Sequence, residues 1–350
     1  MRITTNAIGF GIGAATLAAT CAWSGPAAAQ FTLQGKTVTV IVSGGVGGGV
    51  DIYTRTLLPH LSRHLPGEPT MVVQNMPGGG GVQGVQRLYN VSARDGTAIA
   101  TTPAGPIKEP LMGSGQVNYD LRKFRWIGSL AKEDTMCLVW HTSKVMNLED
   151  AKKREVTLSA TGTASNSTLG PYLLNDLLGT KFKPISGYDG GTSMLAVERG
   201  EVDGRCTTLS SVRTGQPRWI KEHLVRGIVA VSNIRDVDFP DVPKAIDLVK
   251  TDEERQALQF FQAPDEIQDP FFLPPETTDE VLAVYRKAFE DTMRDRAYVA
   301  DAEKRQQTLA PRPGEEVEAT IRGMYETPSA VIERVKRATT ITGRNEVKGK

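Results

Sequence analysis

Two glycine-rich segments of this 350-residue chain are its strongest candidates for a binding site. One covers residues 44–50 after the apolar run 38–43, and the other covers residues 77–81 after the run 70–74. Each precedes a helix-like run. Glycine lets the main chain approach a ligand closely, and the first turn of a helix presents N–H groups that lack intrahelical acceptors. The pattern therefore predicts an anion held by main-chain amides.

The spacing of the first glycines argues against a nucleotide. The loop lacks the Lys-Ser/Thr ending of a P-loop, and Val50 stands where a dinucleotide fingerprint needs its third glycine. The histidines, at positions 60, 64, 141 and 223, do not follow a metal-ligand spacing. We predict neither a cofactor nor a metal.

Alternating strand-like and helix-like runs must position these loops. The predicted strands are 38–43, 70–74, 97–102, 136–141, 156–160, 183–186, 202–206 and 227–231. The predicted helices are 52–65, 82–92, 147–154, 167–178, 194–199, 217–225, 278–293 and 313–337. Such alternation predicts an α/β fold with mainly parallel sheets. Because the pattern restarts near residues 124–130 without a flexible linker, we expect two lobes with a ligand cleft at the carboxyl ends of their strands.

A polar loop in the second unit matches the glycine loops of the first. Residues 159–168 read Ser-Ala-Thr-Gly-Thr-Ala-Ser-Asn-Ser-Thr between a predicted strand and a predicted helix. Their hydroxyls and amides can donate to an anion from the opposite side, although a helix cap and turn would use the same residues. Arg205 shares a strand face with Asp203 and Thr207, which makes it a candidate ligand cation. The alternative is an ion pair with Asp203 or Asp189.

Composition bounds the location and the partners. Residues 1–29 have the basic start, short apolar stretch and Ala-Ala-Ala ending of a secretory signal, which predicts a periplasmic protein cleaved after Ala29. Removal of Arg2 from the 41 basic residues leaves 40 against 40 acidic ones, so no nucleic-acid partner is expected. We predict a monomer. Cys137 and Cys206 could pair in an oxidising compartment, but the prediction is two buried free thiols.

Seven short motifs follow one another in the order found in a known family. They are Gly-Gly-Gly-Val-Asp-Ile-Tyr-Thr-Arg (47–55), Gln-Asn-Met-Pro-Gly-Gly-Gly-Gly (74–81), Arg-Asp-Gly (94–96), Asn-Tyr-Asp (118–120), Gly-Tyr-Asp-Gly-Gly (187–191), Gly-Glu-Val-Asp (200–203) and Phe-Pro-Asp-Val-Pro (239–243). Over roughly residues 36–245 the chain resembles the solute-binding proteins of tripartite tricarboxylate transporters. The resemblance implies a hinged periplasmic binding protein of type II, the Venus-flytrap class. Such a receptor closes on a small organic carboxylate and delivers it to a two-subunit membrane permease.

The resemblance also implies which positions contact the ligand. They are Gly47, Gly48, Gly49, Val50, Asp51, Gly79, Gly80 and Gly81 in the first lobe, and Thr161, Thr163, Ser165, Asn166, Ser167, Tyr188, Asp189, Gly190 and Thr207 in the second. Arg205 joins this set only through the strand-face argument given above. Gly44 and Val50 replace an aromatic and a hydroxyl residue of the family, and Met76 and Asp189 replace common cations. The resulting pocket is predicted to prefer a monocarboxylate or a larger aromatic acid over citrate.

We predict that residues 30–131 and 232–350 build the first lobe and that residues 132–231 build the second. Two other functions remain open from the sequence. The same fold could present its ligand to a sensor kinase instead of a permease. A secreted hydrolase is the rival class, but the sequence has no Gly-x-Ser-x-Gly elbow and no locally signalled Cys-His pair. We therefore predict that the protein is not an enzyme.

Overall fold

The computed structural model describes residues 31–113, 117–132, 134–162, 165–188, 190–233 and 235–340, together with Met1. The described residues from 31 to 340 belong to one compact unit. The predicted signal sequence after Met1 therefore lies outside the described residues. Within the described part of the chain, no helix combines the length and apolar character needed to cross a membrane.

Strands and helices alternate along most of the chain. The strands are β1 (Thr37–Val42), β2 (Thr70–Asn75), β3 (Ala98–Thr101), β4 (Arg125–Ala131), β5 (Thr135–Trp140), β6 (Val156–Ala160), β7 (Phe182–Ser186), β8 (Gly204–Thr208), β9 (Val225–Ala230), β10 (Gln268–Leu273) and β11 (Arg312–Pro313). The helices are α1 (Gly49–His64), α2 (Val82–Val91), α3 (Ala104–Met112), α4 (Leu148–Lys153), α5 (Asn166–Leu178), α6 (Gly190–Glu198), α7 (Leu209–Gly215), α8 (Arg218–Lys221), α9 (Ala245–Leu248), α10 (Asp252–Gln262), α11 (Asp279–Arg294), α12 (Arg296–Lys304), α13 (Gly314–Tyr325) and α14 (Ser329–Thr339).

The first sheet has the strand order β11-β4-β10-β3-β1-β2. Strand β1 pairs in parallel with β2 and β3, whereas β10 runs antiparallel to both β3 and β4. Strands β1 to β4 therefore point the same way, and their carboxyl ends lie on one edge. Every residue of β3 is buried, as expected for a parallel strand covered on both faces.

The second sheet has the order β7-β6-β8-β5-β9. Strands β6, β7 and β8 are parallel, and β5 runs antiparallel between β8 and β9. The carboxyl ends of β6 to β9 thus lie beside the start of β5. Because β4 ends at Ala131 and β5 begins at Thr135, the carboxyl edges of the two sheets meet at this crossover. We call this meeting line the shared edge.

A continuous apolar core supports the crossover. One cluster joins buried residues of the first sheet, such as Ile41 and Trp126, to Leu158 and Leu173 of the second sheet and its helix α5. A separate cluster packs the outer face of the first sheet against α1, α11 and α12. The α/β class predicted from sequence is confirmed, but both sheets are mixed rather than mainly parallel, because β5, β10 and β11 run antiparallel to their neighbours.

Several predicted elements are wrong in detail. The helix expected over 217–225 is limited to α8, because Val225 already begins β9. The helix expected over 313–337 is divided in two, with Pro328 as the N-cap of α14. Thr278 caps α11 by accepting from the Val281 N–H. His60 is buried and packs against Tyr298.

The two cysteines correct a further prediction. Cys137 and Cys206 form a disulfide instead of staying as free thiols. They lie directly opposite each other on the antiparallel strands β5 and β8. Directly opposed residues in such strands bring their Cβ atoms within bonding reach. The sequence shows each strand separately but not the register between them, so this pairing was not visible.

Asp269 in β10 gives the fold a predicted pH dependence. Its side chain is buried, and burial raises the pKa of its carboxyl to about 7. A carboxyl group whose pKa is higher in the folded than in the unfolded state stabilises the fold at pH values below its unfolded-state pKa. This contribution is lost as the pH rises through its folded-state pKa. Between about pH 6 and pH 8 the free energy of unfolding should fall by about 1 kcal/mol through this group.

Asp269→Asn should remove that part of the pH dependence. Asparagine has the same shape and tolerates the left-handed backbone of this residue, whose φ is 50°. Urea denaturation of both proteins across this pH range measures the difference. Parallel stability profiles for the two proteins would contradict the assignment to Asp269.

Candidate functional site

The first glycine loop is held by the carboxylate of Asp51. Its Oδ2 accepts from the Gly47 N–H at 2.8 Å, and its Oδ1 accepts from Asn75 Nδ2 at 2.9 Å. Arg55 Nε donates to both oxygens at 3.0 Å, and Asn75 also donates to the Gly44 carbonyl at 3.0 Å. Asp51 is therefore occupied in shaping the loop, and the N-cap of α1 is Gly48.

The charge of Asp51 is compensated where it stands. Burial acts to raise the pKa of its carboxyl, but hydrogen bonds from Arg55, Gly47 and Asn75 lower it overall. The carboxylate consequently stays ionised and paired at neutral pH. The amides of the first turn of α1, at Gly49 and Val50, have no intrahelical acceptors.

The second glycine loop adopts a conformation that other residues resist. Gly79, Gly80 and Gly81 have φ values of 63°, 69° and 102°. A Cβ built at Gly81 would lie 2.5 Å from the Ser43 carbonyl oxygen, which is closer than real Cβ atoms approach. Only glycine therefore lets the start of α2 reach the end of β1.

The hydroxyls of the polar loop before α5 bond to one another and to the main chain of the same loop. Ser165 Oγ donates to the Gly162 carbonyl at 2.7 Å and lies 2.8 Å from Ser167 Oγ, which accepts from the Thr161 N–H at 3.1 Å. Thr168 Oγ1 also donates to Gly162 at 2.7 Å. These side chains fix the loop. The first-turn amides of α5, at Asn166 and Ser167, have no intrahelical acceptors.

The other predicted residues of the second sheet follow β7 or lie on β8. Tyr188 is half-buried and donates its N–H to the Ala160 carbonyl at 3.3 Å, and Gly190 begins α6. Arg205 and Thr207 are buried on β8, and burial lowers the pKa of the Arg205 guanidinium to about 10. Arg205 is therefore still charged at neutral pH. Thr163 and Asp189 lie outside the described residues.

The topology brings the predicted loops to the shared edge, since each follows the carboxyl end of a parallel strand. Helices of the two sheets approach each other there. A Cβ built at Gly49 of α1 would lie 3.7 Å from Ser211 Oγ of α7, and Lys108 of α3 donates to Asn166 Oδ1 of α5. Among the described residues, no hydrogen bond joins the loop 44–51 directly to the loop 161–167.

The first turns of the helices at the shared edge are nearly free of acidic residues. Helices α2, α3, α5, α6 and α7 carry none there, and α1 carries only the paired Asp51. Of the helices that begin elsewhere, α4, α9, α10, α11 and α13 carry Asp or Glu in the first turn, whereas α8, α12 and α14 do not. An acidic residue there offsets the partial positive charge of the helix start. Among the described helix starts at the shared edge, only the first turn of α1 has an acidic residue to offset that charge.

A groove of about 600 Å³ lies elsewhere, along α11 and α13. Its charged residues are Arg125, Asp279, Arg286, Lys287, Glu290, Asp291, Arg294, Glu315 and Glu318, so acids outnumber bases by one. Arg286 pairs with Glu315 and Glu318, and Lys287 pairs with Asp291. This balance does not favour an anion, and the groove is distant in sequence from the glycine loops.

Comparison with known proteins identifies the family. The family model described as tripartite tricarboxylate transporter family receptor matches residues 54–309. The chain belongs to this receptor family. A UPF0065 protein of Bordetella bronchiseptica is 25% identical over 238 residues, which cover 65% of this chain and 68% of that protein.

Two solved structures share the fold of this chain. MatC of Rhodopseudomonas palustris, solved with bound malate, has a TM-score of 0.66 at 20% identity, covering 87% of this chain and 99% of its own. The periplasmic binding protein BugD has a TM-score of 0.67 at 19% identity, covering 86% of this chain and 97% of its own. This chain accordingly has the two-lobed periplasmic binding protein fold of type II, with a hinge and a cleft between the lobes, as predicted.

Proposed function

We propose that this protein is a periplasmic receptor that binds a small organic carboxylate between the first turns of α1 and α5. It would then deliver that carboxylate to a two-subunit membrane permease. The observation that carries the proposal is the set of helix starts at the shared edge, which lack acidic residues except the neutralised Asp51. The malate bound to MatC supports the ligand class.

Most of the proposed contacts are main-chain amides. In the first lobe they come from residues 47–50 and 79–81, and in the second from residues 161–167 and 188–190, with Arg205 and Thr207 as side-chain partners. Hydrogen bonds to a charged group contribute about 1.5–3 kcal/mol each, and micromolar affinity corresponds to about 8 kcal/mol. Four or five such donors are sufficient.

Closure follows from contacts with both lobes. A carboxylate that binds amides of both α1 and α5 stabilises the arrangement in which those helix starts face each other. We propose the lobe boundaries predicted above, 30–131 with 232–350 and 132–231. In support, the strands of the first sheet come from residues 37–131 and 268–313, and those of the second from 135–230.

Titration calorimetry of the mature protein with malate, citrate, benzoate and 4-hydroxybenzoate tests the proposal. We expect micromolar binding of at least one acid, with benzoate or 4-hydroxybenzoate tighter than citrate because Gly44 and Val50 leave the pocket larger and less polar. Absence of binding to all four acids would contradict carboxylate capture. Tighter binding of citrate than of either aromatic acid would contradict only the predicted preference.

A further inference from the structure

A buried cation lies directly behind the polar loop of the second sheet. Lys108 of α3 is 1% exposed, and its ammonium lies 3.7 Å from the centre of the Phe261 ring. The ammonium donates to Asn166 Oδ1 and to the Phe261 carbonyl, the latter at 3.3 Å. A buried ammonium is costly unless it is paired, so these contacts must offset its desolvation.

Asn166 connects this cation to a buried carboxylate. Its Nδ2 donates to Asp265 Oδ1 at 3.1 Å, while Asp265 Oδ2 accepts from Thr135 Oγ1 at 3.2 Å. The two ends of the amide therefore face opposite charges, which fixes its orientation. We call Lys108, Asn166, Asp265 and Thr135 the crossover cluster, since they come from α3, the start of α5, the segment before β10 and the start of β5.

The crossover cluster acts on the polar loop through Asn166. Asn166 is the first residue of α5, and the loop 161–162 and 165–168 is held to the same first turn by its own hydroxyls. The position of the Asn166 side chain therefore determines the position of the first-turn amides of α5 that follow it. Sequence alone gave no sign of this, because Lys108 and Asp265 are distant in the chain and neither belongs to a recognised motif.

We propose that Lys108 is a positioning residue of the carboxylate site, which orients Asn166 and thereby holds the first turn of α5 at the shared edge. This inference rests on the proposed function and deepens it. It assigns to Lys108 a role in ligand affinity that goes beyond neutralising Asp265. Lys108 itself does not touch the carboxylate.

Because the crossover cluster contains two titratable groups, its effect on carboxylate affinity should depend on pH. Burial lowers the pKa of Lys108 to about 8, against the opposing effect of Asp265. Burial raises the pKa of Asp265 to about 6, opposed by Lys108, and the nearby Glu266 is itself paired with Lys132 and Arg312 at 2.9 Å. Both members are charged between these values, so carboxylate affinity should be greatest near neutral pH and fall on either side.

Lys108→Met tests the proposal, because methionine keeps an unbranched chain over Phe261 and removes the ammonium. Lys123→Met is the matched control, because Lys123 is exposed and, like Lys108, precedes the crossover from β4 to β5 in the chain. Two quantities are measured: the affinity for whichever of malate, citrate, benzoate and 4-hydroxybenzoate binds the wild type most tightly, and amide hydrogen exchange of residues 165–170 without any acid.

We expect Lys108→Met to weaken affinity by at least about tenfold, to flatten its pH profile and to speed exchange in residues 165–170 by about tenfold. Lys123→Met should match the wild type. Wild-type affinity and exchange in a folded Lys108→Met protein would overturn the proposal. If the wild type binds none of the acids, the proposed function fails, and the exchange comparison still decides whether Lys108 holds the first turn.

A second variant separates positioning from charge balance. Lys108→Met/Asp265→Asn removes both charges and leaves no unpaired buried ion, so it should fold even if the single variant does not. We expect it to remain at least about tenfold weaker than the wild type, because Asn166 has still lost its ammonium donor. Wild-type affinity in this double variant would show that Lys108 only neutralises Asp265 and would overturn the proposal.

Discussion

Gly49→Leu is expected to weaken carboxylate binding by at least about 100-fold, which corresponds to about 2.7 kcal/mol, while the protein stays folded. A Cβ at Gly49 already reaches 3.7 Å from Ser211 Oγ, so the remaining carbons of leucine must enter the space between α1 and α7. There they would cover the first-turn amides and obstruct closure. Leucine favours a helix more than glycine does, so stability should not fall for reasons of helix propensity.

Gly45→Leu supplies the matched control within the same loop. Gly45 is exposed, and a Cβ built there meets nothing within 4 Å. Calorimetry with the tightest-binding acid and thermal unfolding by circular dichroism would be measured for both variants. Equal affinities of the Gly45 and Gly49 variants would show that the start of α1 is not part of the binding site.

Removal of the disulfide by Cys137→Ala/Cys206→Ala should lower the free energy of unfolding by about 4 kcal/mol. The bond links residues separated by 69 positions, and a closed loop of that length restricts the unfolded chain strongly. Alanine adds no buried polar group, although it leaves a small cavity in the core that contains both sulfurs.

Urea denaturation of the wild type with and without reductant, beside the double variant, measures this effect. Reduced wild type and the variant should unfold at similar, lower urea concentrations than the oxidised protein. Thiol titration of the denatured, unreduced mature protein should find no free sulfhydryl. Two free thiols per chain, or a midpoint insensitive to reductant, would contradict the disulfide.

The sequence predicted the strands and helices that have a clear local pattern of apolar residues, glycine turns and helical runs. Strand β1 and helix α1 were recognised because an apolar run, a glycine turn and a helical run follow in order. Strand β10 was missed because Asp269 and Pro270 interrupt its apolar character, yet all its residues are buried. Helix α3 was missed because Pro106 and Pro110 both lie within it. In each miss, tertiary packing outweighs local preference.

For the candidate site, the ligand contacts predicted for the loop side chains stay predictions. Asp51 and Ser165, two of these residues, form hydrogen bonds that shape their own loops. Short polar side chains next to a helix start commonly bond to nearby main chain, which a motif does not distinguish from ligand contact. Asp265 was missed because its partners come from three separate elements. Such long-range contacts leave no local pattern.

The scarcity of acidic residues at the starts of α2, α3, α5, α6 and α7 has a practical consequence for laboratory work. Main-chain amides grip sulfate, phosphate or acetate by the same hydrogen bonds that they offer a metabolite. Buffers and precipitants that contain these ions should therefore compete with the carboxylate ligand and lower the apparent affinity of the receptor for it. Measurements in a zwitterionic or cationic buffer with chloride kept low would avoid that competition.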